Sequence, residues 1–364
     1  MTARTINIGR RLIGDGQPCF VIAEGGVNHN GNPELAEDLV RIAAHCEADA
    51  VKFQKRTIDE LLTRAALDKP YVNANSLGAT YGEHRQKLEL SEADWTRLRD
   101  LATSLGLEFM GSAWDRGSAD FLDALDTPVF KTPSAVLTDL DLMEYIARKG
   151  RPMIVSAGMS TLEEIDQAVE RILRHNDDLI LLQCTSAYPS EFGDVNLRVM
   201  ETFSTRYGVL VGYSGHERGI AVTAAAATLG ACVVERHFTK DRTLPGPDHA
   251  ASLEPIGLEK LVRDIRHIEE ALGSGEKRIA ASELPVRARL GKSVVSTQPI
   301  PAGTVLRSEL LTAKSPGDGI AANRLADLLG RVVPVDIAAD SLLPLEALDW
   351  QIARDAVGLR ATRA

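Results

Sequence analysis

Short apolar runs alternate with segments of helical periodicity from the start of the chain to about Leu272. Eight runs have the length of strands, and most are followed by a helical pattern. In order they read CFVIAE, AVKF, EFMGS, VFKTPS, PMIVSAG, LILLQCTSAYP, VLVGYS and CVVERH. Strands separated by helices form right-handed parallel crossovers, and eight such units predict a closed (β/α)8 TIM barrel. A doubly wound open sheet is the second interpretation, but no GxGxxG loop supports it.

The segments between the strands carry helix signals. Pro33 begins an amphipathic stretch, since proline is favoured in the first turn of a helix. Ser160 and Glu163 have the spacing of a capping box and predict the start of another helix. The stretch from Thr57 to Leu90 is long and polar, so we interpret it as an inserted loop. Its pattern indicates no particular role.

The predicted strands end in polar residues that a buried strand would not otherwise carry. In order they are Glu24, Lys52, Ser112, Lys131 with Ser134, Ser156, Gln183, Ser214 with His216, and Glu235 with His237. The catalytic side chains of a (β/α)8 barrel lie at the carboxyl ends of its strands. The pattern therefore predicts an active site at that end of the barrel.

A weak internal repeat lies near the C-terminus. Residues 293–311 resemble residues 331–349 at an offset of about 37, so that Ile300 corresponds to Ile337. Two copies of a strand, turn and short-helix unit predict a small β-rich module with pseudo-twofold symmetry. The expected domains are a barrel over 1–272, a charged linker over 273–290, the module over 291–350 and a tail over 351–364.

Composition limits the class of partner. The 364 residues are 44% hydrophobic and carry a formal net charge of −10. This supports a sizeable core, while the charge repels nucleic acid and anionic membranes, so we expect neither as a partner. The four cysteines lack CxxC spacing and most lie in or beside apolar runs, which indicates buried free thiols. With neither a signal-peptide pattern nor an apolar run of membrane length, a cytoplasmic protein is expected.

Two lysines, Lys52 and Lys131, lie within three residues of the end of an apolar run. A buried lysine is costly unless it meets an anion. Together with the serine hydroxyls at neighbouring strand ends, they indicate a pocket for phosphate, or for a ligand with a phosphate and a carboxylate. The alternative is that they form internal salt bridges, for instance to Glu24 or Glu235.

Two histidines, His216 and His237, follow the last two predicted strands. Neutral imidazole is a common ligand of manganese-like or zinc-like ions. Without HExxH or a cysteine set, a site that keeps water or substrate as ligands fits better than a closed structural zinc site. The acidic residues near them in sequence are Glu217, Glu235, Asp241 and Asp248. The alternative is a pair of hydrogen-bonded histidines at the barrel rim.

Glu24 ends the first apolar run, where it would lie beside the two lysines. A carboxylate there can orient a water or a sugar hydroxyl, or act as a base, and a structural ion pair is the alternative. The turn from Asn28 to Gly31 adds polar groups at this rim or is a plain tight turn. Spacing gives Tyr188 and Asp248, which lie in loops, a weaker signal.

Ordered motifs give the chain a resemblance to a known family. They are AEGGVNHNG, AVKFQ, TYGEHR, KTPS, SAGMSTLEE, QCTSAYP, GYSGHE, ERHFT and GPDHAASLEP. In this order they resemble the sialic acid synthase family, and the C-terminal repeat resembles that family's antifreeze-like (SAF) domain. The resemblance covers about residues 20–350, nearly the whole chain.

The resemblance implies a reaction and its requirements. The family condenses phosphoenolpyruvate with an open-chain N-acyl hexosamine such as N-acetylmannosamine. The products are a nine-carbon 2-keto sugar acid and phosphate, and the reaction depends on a divalent metal, Mn2+ or Mg2+. Members are typically domain-swapped homodimers, in which the antifreeze-like domain of one chain covers the barrel mouth of the other. We expect the same substrates, metal and assembly here.

The resemblance also implies roles for individual residues. The phosphoenolpyruvate-binding positions fall on Lys52, Ser112, Lys131, Ser134, Ser156, Ser186 and Ser214. The metal-ligand positions fall on His216 and His237, and Glu24 falls on the acidic position near the reacting carbons. These three form the expected catalytic set. The sugar-contacting positions fall on Tyr188 and Asp248.

Three positions depart from the pattern of some family members. Val136 and Ser315 stand where some members have an acidic residue and an arginine, respectively, against the sugar. Ser186 replaces an asparagine. The resemblance therefore leaves the sugar open among N-acetylmannosamine, its 6-phosphate and a diacetamido-trideoxy hexose that leads to legionaminic or pseudaminic acid.

Two other functions are weighed against this one. One is condensation of phosphoenolpyruvate with an ordinary aldose phosphate, as in ketodeoxy-octulosonate phosphate synthesis, and the antifreeze-like module argues against it. The other is a non-catalytic sugar-binding protein. The residues that argue against that function are Glu24, Lys52, Lys131, His216 and His237.

Overall fold

A computed structural model describes residues 4–73 and 75–353 of the chain. The chain divides into two compact units, Met1–Gly273 and Ser274–Ala364. The predicted tail over 351–364 lies, from residue 354 onward, outside the described residues. Each unit has a hydrophobic core of its own.

Eight parallel strands of the first unit close into a barrel in chain order, and the last of them, β10, pairs with the first, β3. The strands of the chain are β1 (Thr5–Ile8), β2 (Arg11–Gly14), β3 (Phe20–Gly26), β4 (Ala50–Lys55), β5 (Glu108–Ala113), β6 (Phe130–Thr132), β7 (Met153–Ser156), β8 (Leu179–Cys184), β9 (Leu210–Gly215), β10 (Val233–His237), β11 (Ser293–Ser296) and β12 (Leu311–Lys314). The predicted (β/α)8 barrel is confirmed.

Helices separate the barrel strands, as predicted. The helices are α1 (Pro33–His45), α2 (Ile58–Leu61), α3 (Arg64–Leu67), α4 (Tyr81–Lys87), α5 (Glu92–Ser104), α6 (Arg116–Ala124), α7 (Leu140–Ala147), α8 (Leu162–Leu173), α9 (Phe192–Val195), α10 (Val199–Tyr207), α11 (Ala221–Thr228), α12 (Pro255–Leu272), α13 (Leu284–Leu290) and α14 (Leu325–Leu328). Helix α1 begins at Pro33 as expected, and the Asn32 side chain caps it by accepting from the Leu35 N–H.

The capping box of α8 lies one residue later than predicted. Thr161 Oγ1 accepts from the Glu164 N–H at 3.3 Å, and Glu164 Oε2 accepts from the Thr161 N–H at 2.8 Å. The prediction of Ser160 and Glu163 was therefore wrong. The reason is that the Ser160 hydroxyl donates instead to the Gly158 carbonyl oxygen at 3.3 Å, in the turn that follows β7.

Apolar side chains of the barrel strands alternate between two cores. One face packs inside the barrel, for example Ile22, Met110 and Ile154. The other face packs against the surrounding helices, for example Val51 and Val155. This alternation follows from the period of two residues along a strand, and it sends alternate polar side chains at the strand ends into the barrel mouth.

The hairpin β1–β2 was not predicted from the sequence. Its strands pair antiparallel, and Ile6, Ile8 and Ile13 pack with residues of the barrel interior such as Phe20. Four-residue strands with two apolar side chains each give too short a pattern to stand out from a loop. The hairpin adds its apolar side chains to the barrel's inner core.

The interpretation of residues 57–90 as a loop was wrong in part. This stretch contains α2, α3 and α4, and it buries Leu67, His84 and Leu88. The end of this stretch packs closely against the turn that follows β3, because a Cβ on Gly31 in that turn would lie 1.9 Å from the Lys87 carbonyl oxygen. Each helix is too short for periodicity to reveal it.

The second unit is a small β-rich domain, as predicted. Strands β11 and β12 pair antiparallel. Ile300 and Ile337, which correspond in the internal repeat, exchange two backbone hydrogen bonds of 2.8 and 2.9 Å. Reciprocal bonding of equivalent residues is what a local twofold axis between the two copies requires.

All four cysteines are buried and free, as predicted. In residues 4–73 and 75–353, no helix combines the length and apolar character that crossing a bilayer requires.

Candidate active site at the carboxyl ends of the barrel strands

The polar residues at the strand ends line one cavity of about 200 Å3. All the predicted site residues line it except Asp248, whose Oδ2 lies 3.6 Å from His237 Nδ1. Gln183, the other strand-end residue in the sequence pattern, does not line the cavity. Its Nε2 donates to the Val195 carbonyl oxygen at 2.8 Å, so it holds the backbone at the end of α9.

Lys52 lies at the centre of the acidic side of this cavity. Its Nζ contacts Glu24 Oε2 and lies 3.6 Å from Glu235 Oε2. It also lies 2.7 Å from Ser112 Oγ, to which it donates a hydrogen bond. Burial opposes the charge on Lys52, but Glu235 and Glu24 together raise its pKa above the usual value. Lys52 is therefore a permanent cation in the cavity wall.

Lys131 occupies a less strongly paired position. Its Nζ donates to Ser156 Oγ at 2.7 Å and lies 3.8 Å from Glu235 Oε1. Burial, and after it the charge of Lys52, lower the pKa of Lys131, while Glu235 opposes this effect. A further anion in the cavity would favour the charged form of Lys131, because no carboxylate lies within 3.5 Å of its Nζ among the described residues.

The two lysines thus form internal ion pairs, which was the alternative predicted for them. With Glu24 and Glu235 they make a fully buried group of two positive and two negative charges. Such a group is electrically balanced before any ligand enters. An anion and a divalent cation that enter together would keep it close to balance, whereas either one alone would not.

Serine hydroxyls meet on the other side of the cavity, around Gly158. The Gly158 N–H donates to Ser134 Oγ at 3.0 Å. A Cβ on Gly158 would lie 2.4 Å from Ser186 Oγ and 2.8 Å from Ser134 Oγ. The glycine therefore leaves the space in which these hydroxyls converge. Hydroxyls in this arrangement suit the oxygens of a phosphate.

His216 is held with one ring nitrogen directed at the backbone. Its Nδ1 lies 2.7 Å from the Thr185 carbonyl oxygen, and because a carbonyl only accepts, Nδ1 carries the proton. Burial, and after it the neighbouring His237, lower the pKa of His216 to about 3. The imidazole is therefore neutral, and its Nε2 lone pair is available to a metal ion.

His237 lies beside it, with ring centroids 5.4 Å apart. Its Nδ1 is buried and finds no hydrogen-bond partner among the described residues. A buried imidazole nitrogen without a hydrogen-bond partner is chemically suited to a metal ion. In the described part of the chain, no cluster of three or more His, Cys, Asp or Glu side chains could hold a metal. The arrangement fits an open site, in which substrate or water completes the ligand set.

Two of the acids expected near the histidines point elsewhere. Glu217 is paired with Arg236 behind the cavity wall, at 2.8 Å. The Asp241 side chain accepts from the N–H and hydroxyl of Thr243, both at 2.7 Å, within its own turn. The sequence neighbours of a strand-end residue alternate in direction, so proximity in sequence did not place them in the site.

Tyr188 lies over the two histidines at the cavity mouth. Its ring centroid is 4.0 Å from that of His216 and 5.7 Å from that of His237. The side chain is 52% exposed. It therefore presents its ring and hydroxyl where a substrate approaching the histidines would pass.

The family of the chain follows from comparison with known proteins. The NeuB family profile matches residues 39–277, and the SAF domain profile matches residues 291–349. The chain belongs to the NeuB family. Its C-terminal module is a SAF domain.

Relatives of this NeuB-family chain are similar over almost their whole length. N-acetylneuraminate-9-phosphate synthase of Homo sapiens is 41% identical over 341 residues, which are 93% of this chain and 95% of that protein. N,N'-diacetyllegionaminic acid synthase of Legionella pneumophila is 40% identical over 352 residues, 95% of this chain and 99% of the relative. The crystal structure of N-acetylneuraminic acid synthetase from Leptospira borgpetersenii, 30% identical, matches with a TM-score of 0.69 and covers 78% of this chain and 95% of that one.

Two of the cavity-lining residues that sequence reasoning missed in this NeuB-family chain, Gln54 and Trp114, carry an N–H group in the side chain. Gln54 Nε2 donates to Glu24 Oε1 at 3.2 Å, so Glu24 is held by an amide as well as by Lys52. Each of these two follows a predicted residue by two positions, Lys52 and Ser112 respectively. The period of two along a strand was the signal that would have found both.

Of the three positions that depart from some family members, Ser186 lines the cavity and Val136 does not. Val136 is buried in the short 3-10 turn after Ser134. The Ser315 hydroxyl, in the second unit, donates to the Leu290 carbonyl oxygen at 3.1 Å.

Proposed function

We propose that this protein condenses phosphoenolpyruvate with an open-chain N-acyl hexosamine, most simply N-acetylmannosamine, to give a nine-carbon 2-keto sugar acid and phosphate. It would thus act as an N-acetylneuraminate synthase. The single observation that carries the proposal is the cavity, in which two buried lysines and a ring of serine hydroxyls lie beside two histidines. Similarity to sialic and legionaminic acid synthases over almost the whole chain supports it.

The lysine side of the cavity suits phosphoenolpyruvate, which carries a phosphate and a carboxylate. Lys52 and Ser112 would hold one anionic group. Lys131 would hold the other, together with the hydroxyls of Ser134, Ser156, Ser186 and Ser214. Ionic hydrogen bonds of this kind are stronger than neutral ones. An anionic ligand would favour the charged form of Lys131 in particular, because burial lowers the pKa of this lysine in the ligand-free state.

The histidine side suits a divalent metal, Mn2+ or Mg2+, which His216 and His237 would hold. A bound divalent ion would supply a Lewis acid that makes the sugar aldehyde more electrophilic. The chain's contribution is to hold both imidazoles in place and to keep that of His216 neutral, as its pKa of about 3 favours. The positive charge of the ion and the negative charge of phosphoenolpyruvate would together preserve the balance of the buried group.

Glu24 is the residue we assign to the reacting centre. The enol carbon would form a bond with the aldehyde carbon, and the aldehyde oxygen would take a proton. Water would then add to the former C2 of phosphoenolpyruvate, and phosphate would leave with its bridging oxygen. Glu24, fixed by Lys52 and Gln54, can orient that water or a sugar hydroxyl. Lys131 and the serines would stabilise the departing phosphate.

The sugar would lie at the mouth of the cavity. We assign Tyr188 and Asp248 to it, because both lie at the histidines on the open side. A diacetamido-trideoxy hexose, the precursor of legionaminic or pseudaminic acid, is the alternative substrate. The 40% identity to a legionaminic acid synthase is the observation that favours this alternative.

We further propose a domain-swapped homodimer in which the SAF domain of one chain covers the barrel mouth of the other. All residues of α13, in the segment between barrel and SAF domain, are exposed, among them Leu284, Val286 and Leu290. Met159 and Tyr188 at the mouth are also exposed. Apolar groups of this kind gain from burial against a partner, and closure would exclude water from the reaction. Four buried free thiols suit a reducing compartment, so we place the protein in the cytoplasm.

The test is phosphate release from phosphoenolpyruvate in the presence of Mn2+ with a panel of sugars. The panel contains N-acetylmannosamine, its 6-phosphate and the diacetamido-trideoxy hexoses, and mass spectrometry identifies the 2-keto acid. We expect phosphate and 2-keto acid in equal amounts with one sugar, and loss of both in Lys131→Ala. Binding of a sugar by folded, metal-loaded protein without phosphate release from any of them would favour a non-catalytic sugar-binding protein instead.

A further inference from the structure

A fully buried ion pair lies directly behind the two histidines. The side chains of Arg236 and Glu217 are 1% and 0% exposed, and Arg236 Nη1 lies 2.8 Å from Glu217 Oε1. Glu217 follows His216 in sequence, and Arg236 precedes His237. The ion pair therefore joins the ends of β9 and β10, the two strands that carry the proposed metal ligands.

Arg236 points away from the cavity. Glu235 and His237 line the cavity, so the residue between them faces the helix layer outside the barrel. There Arg236 Nη1 donates to the Gly219 carbonyl oxygen and the Thr223 hydroxyl, each at 2.8 Å, and Nη2 donates to the Glu217 carbonyl oxygen at 2.6 Å. The guanidinium thus binds the backbone just after His216 as well as the Glu217 side chain.

Glu217 is held by neutral donors in addition to Arg236. Tyr213 donates from its hydroxyl to Glu217 Oε2 at 2.7 Å, and Thr223 Oγ1 donates to Glu217 Oε1 at 3.0 Å. A Cβ on Gly215 would lie 2.6 Å from Glu217 Oε2, so the glycine leaves room for this carboxylate. The network fixes the carboxylate from three sides.

The same segment anchors the loop that carries Tyr188. The Ser190 N–H donates to the His216 carbonyl oxygen at 3.1 Å, and Ser190 forms a parallel bridge with Glu217. Two residues earlier, the Tyr188 ring packs on the His216 imidazole. One buried network therefore sets the backbone that presents both histidines and the tyrosine above them.

Fold stability alone does not account for this ion pair. Two charges lose their hydration when they are buried, and well-packed apolar residues of similar volume often give equal or greater stability. The surrounding layer is apolar, with Tyr213, Val234 and Ala226 in the same core. Leucine and methionine would fit the chemistry of that layer without any desolvation penalty.

We propose that the Arg236–Glu217 ion pair is a positioning device for the metal site, which fixes His216 relative to His237 before the metal arrives. The inference rests on the proposed function, because it takes these histidines as the metal ligands. A rigid pair of donors binds a metal more tightly than a pair that must first be ordered. Neither residue of the ion pair lines the cavity.

The test compares metal affinity with stability in the double variant Glu217→Leu/Arg236→Met. Mn2+ alone is the probe, and electron paramagnetic resonance measures the free aquo ion in a titration of the full chain. We expect the Mn2+ dissociation constant to rise about 10- to 100-fold, as changes behind metal ligands typically do. The urea midpoint should fall only in part, because the variant leaves no charge unpaired but removes the partners of the Tyr213 and Thr223 hydroxyls, so affinity is compared in folded protein.

The control variant removes an ion pair at the opposite end of the barrel. Arg266 Nη2 lies 2.6 Å from Asp49 Oδ2, just before β4 begins. Asp49→Asn/Arg266→Met should leave Mn2+ affinity unchanged whatever its effect on stability. His216→Ala/His237→Ala should abolish Mn2+ binding, which tests the proposed metal site separately.

Three results would separate the ideas. Mn2+ binding as tight in folded Glu217→Leu/Arg236→Met as in the unmodified protein would overturn the positioning role and leave the proposed function intact. Failure of the unmodified protein to bind Mn2+ would overturn the metal site and this inference with it. If the double variant does not fold, Tyr213→Phe, which removes one hydrogen bond to Glu217, should weaken Mn2+ binding a few-fold. Unchanged affinity in that variant would also overturn the role.

Discussion

Register between strands assembles the site residue by residue. Glu24 lies opposite Lys52 on β4 and opposite His237 on β10. Because the carboxyl ends of parallel strands meet at one end of the barrel, the sequence predicted that the strand-end side chains come together, and Gln183 is the exception. The sequence could not decide whether the lysines pair internally, since the contact between Lys52 and Glu235 depends on two strands far apart in sequence.

Gly158 provides a prediction at this scale. Gly158→Ala should weaken phosphoenolpyruvate binding about tenfold or more, because the new methyl group would occupy the space between Ser134 Oγ and Ser186 Oγ, and overpacking costs roughly 1–3 kcal/mol. Isothermal titration with phosphoenolpyruvate measures the effect. Gly193→Ala is the matched control, since a Cβ there meets nothing within 4 Å. Equal affinities in the two variants would contradict the role we assign to the serines.

Elements were predicted where they have a long pattern or a place in the alternation of strands and helices. Helix α1 spans 13 residues, whereas β6 and β7 span only three and four residues and were recognised between helical patterns. The hairpin β1–β2 and the helices within 57–90 are each four to seven residues long, and tertiary contacts rather than local pattern stabilise them. The capping box of α8 was misplaced by one residue because two overlapping sets, Ser160–Glu163 and Thr161–Glu164, have the same spacing.

Asp115 provides a prediction at the scale of elements, because it joins two of them. Its Oδ1 caps α6 by accepting from the Ser118 N–H at 2.6 Å, and its Oδ2 accepts from the Thr57 N–H at 2.7 Å. Asp115→Ala should lower the free energy of unfolding by about 2 kcal/mol or more, since it removes a cap and leaves the Thr57 N–H without its partner. Urea denaturation measures the loss.

The comparison for Asp115 is a residue whose side chain caps a helix without joining it to another element. Thr161 caps α8 through the Glu164 N–H at an exposed position. Thr161→Ala should cost about 1 kcal/mol, the usual value for a lost cap. A loss for Asp115→Ala no larger than this would show that the bond to Thr57 contributes nothing to stability.

At the scale of the whole molecule, the number of strand and helix patterns and the internal repeat predicted the fold of the two units. Eight alternating strand and helix patterns predicted a closed barrel, and the weak repeat at Ile300 and Ile337 predicted the two-copy construction of the second unit. The sequence gives no direct information on assembly, because an exposed apolar residue such as Leu284 does not reveal what covers it. Assembly therefore stays a prediction from the family resemblance.

The proposed dimer has a consequence for the whole molecule that can be measured. Sedimentation velocity should give a dimer, and activity per chain should fall when dilution dissociates it, because each barrel mouth would lose its cover. Substitution of Leu284 and Leu290 together by serine should shift the equilibrium towards monomer and lower activity in parallel. A monomer with full activity per chain would contradict the domain-swapped cover.

The most direct test of the account is a crystal structure of the protein with Mn2+ and phosphoenolpyruvate, with anomalous data collected at the manganese edge. The account predicts an anomalous peak bonded to His216 and His237, with phosphoenolpyruvate in the same cavity in contact with Lys52 and Lys131. A manganese peak away from both histidines, or phosphoenolpyruvate bound outside the cavity at the strand ends, would contradict it.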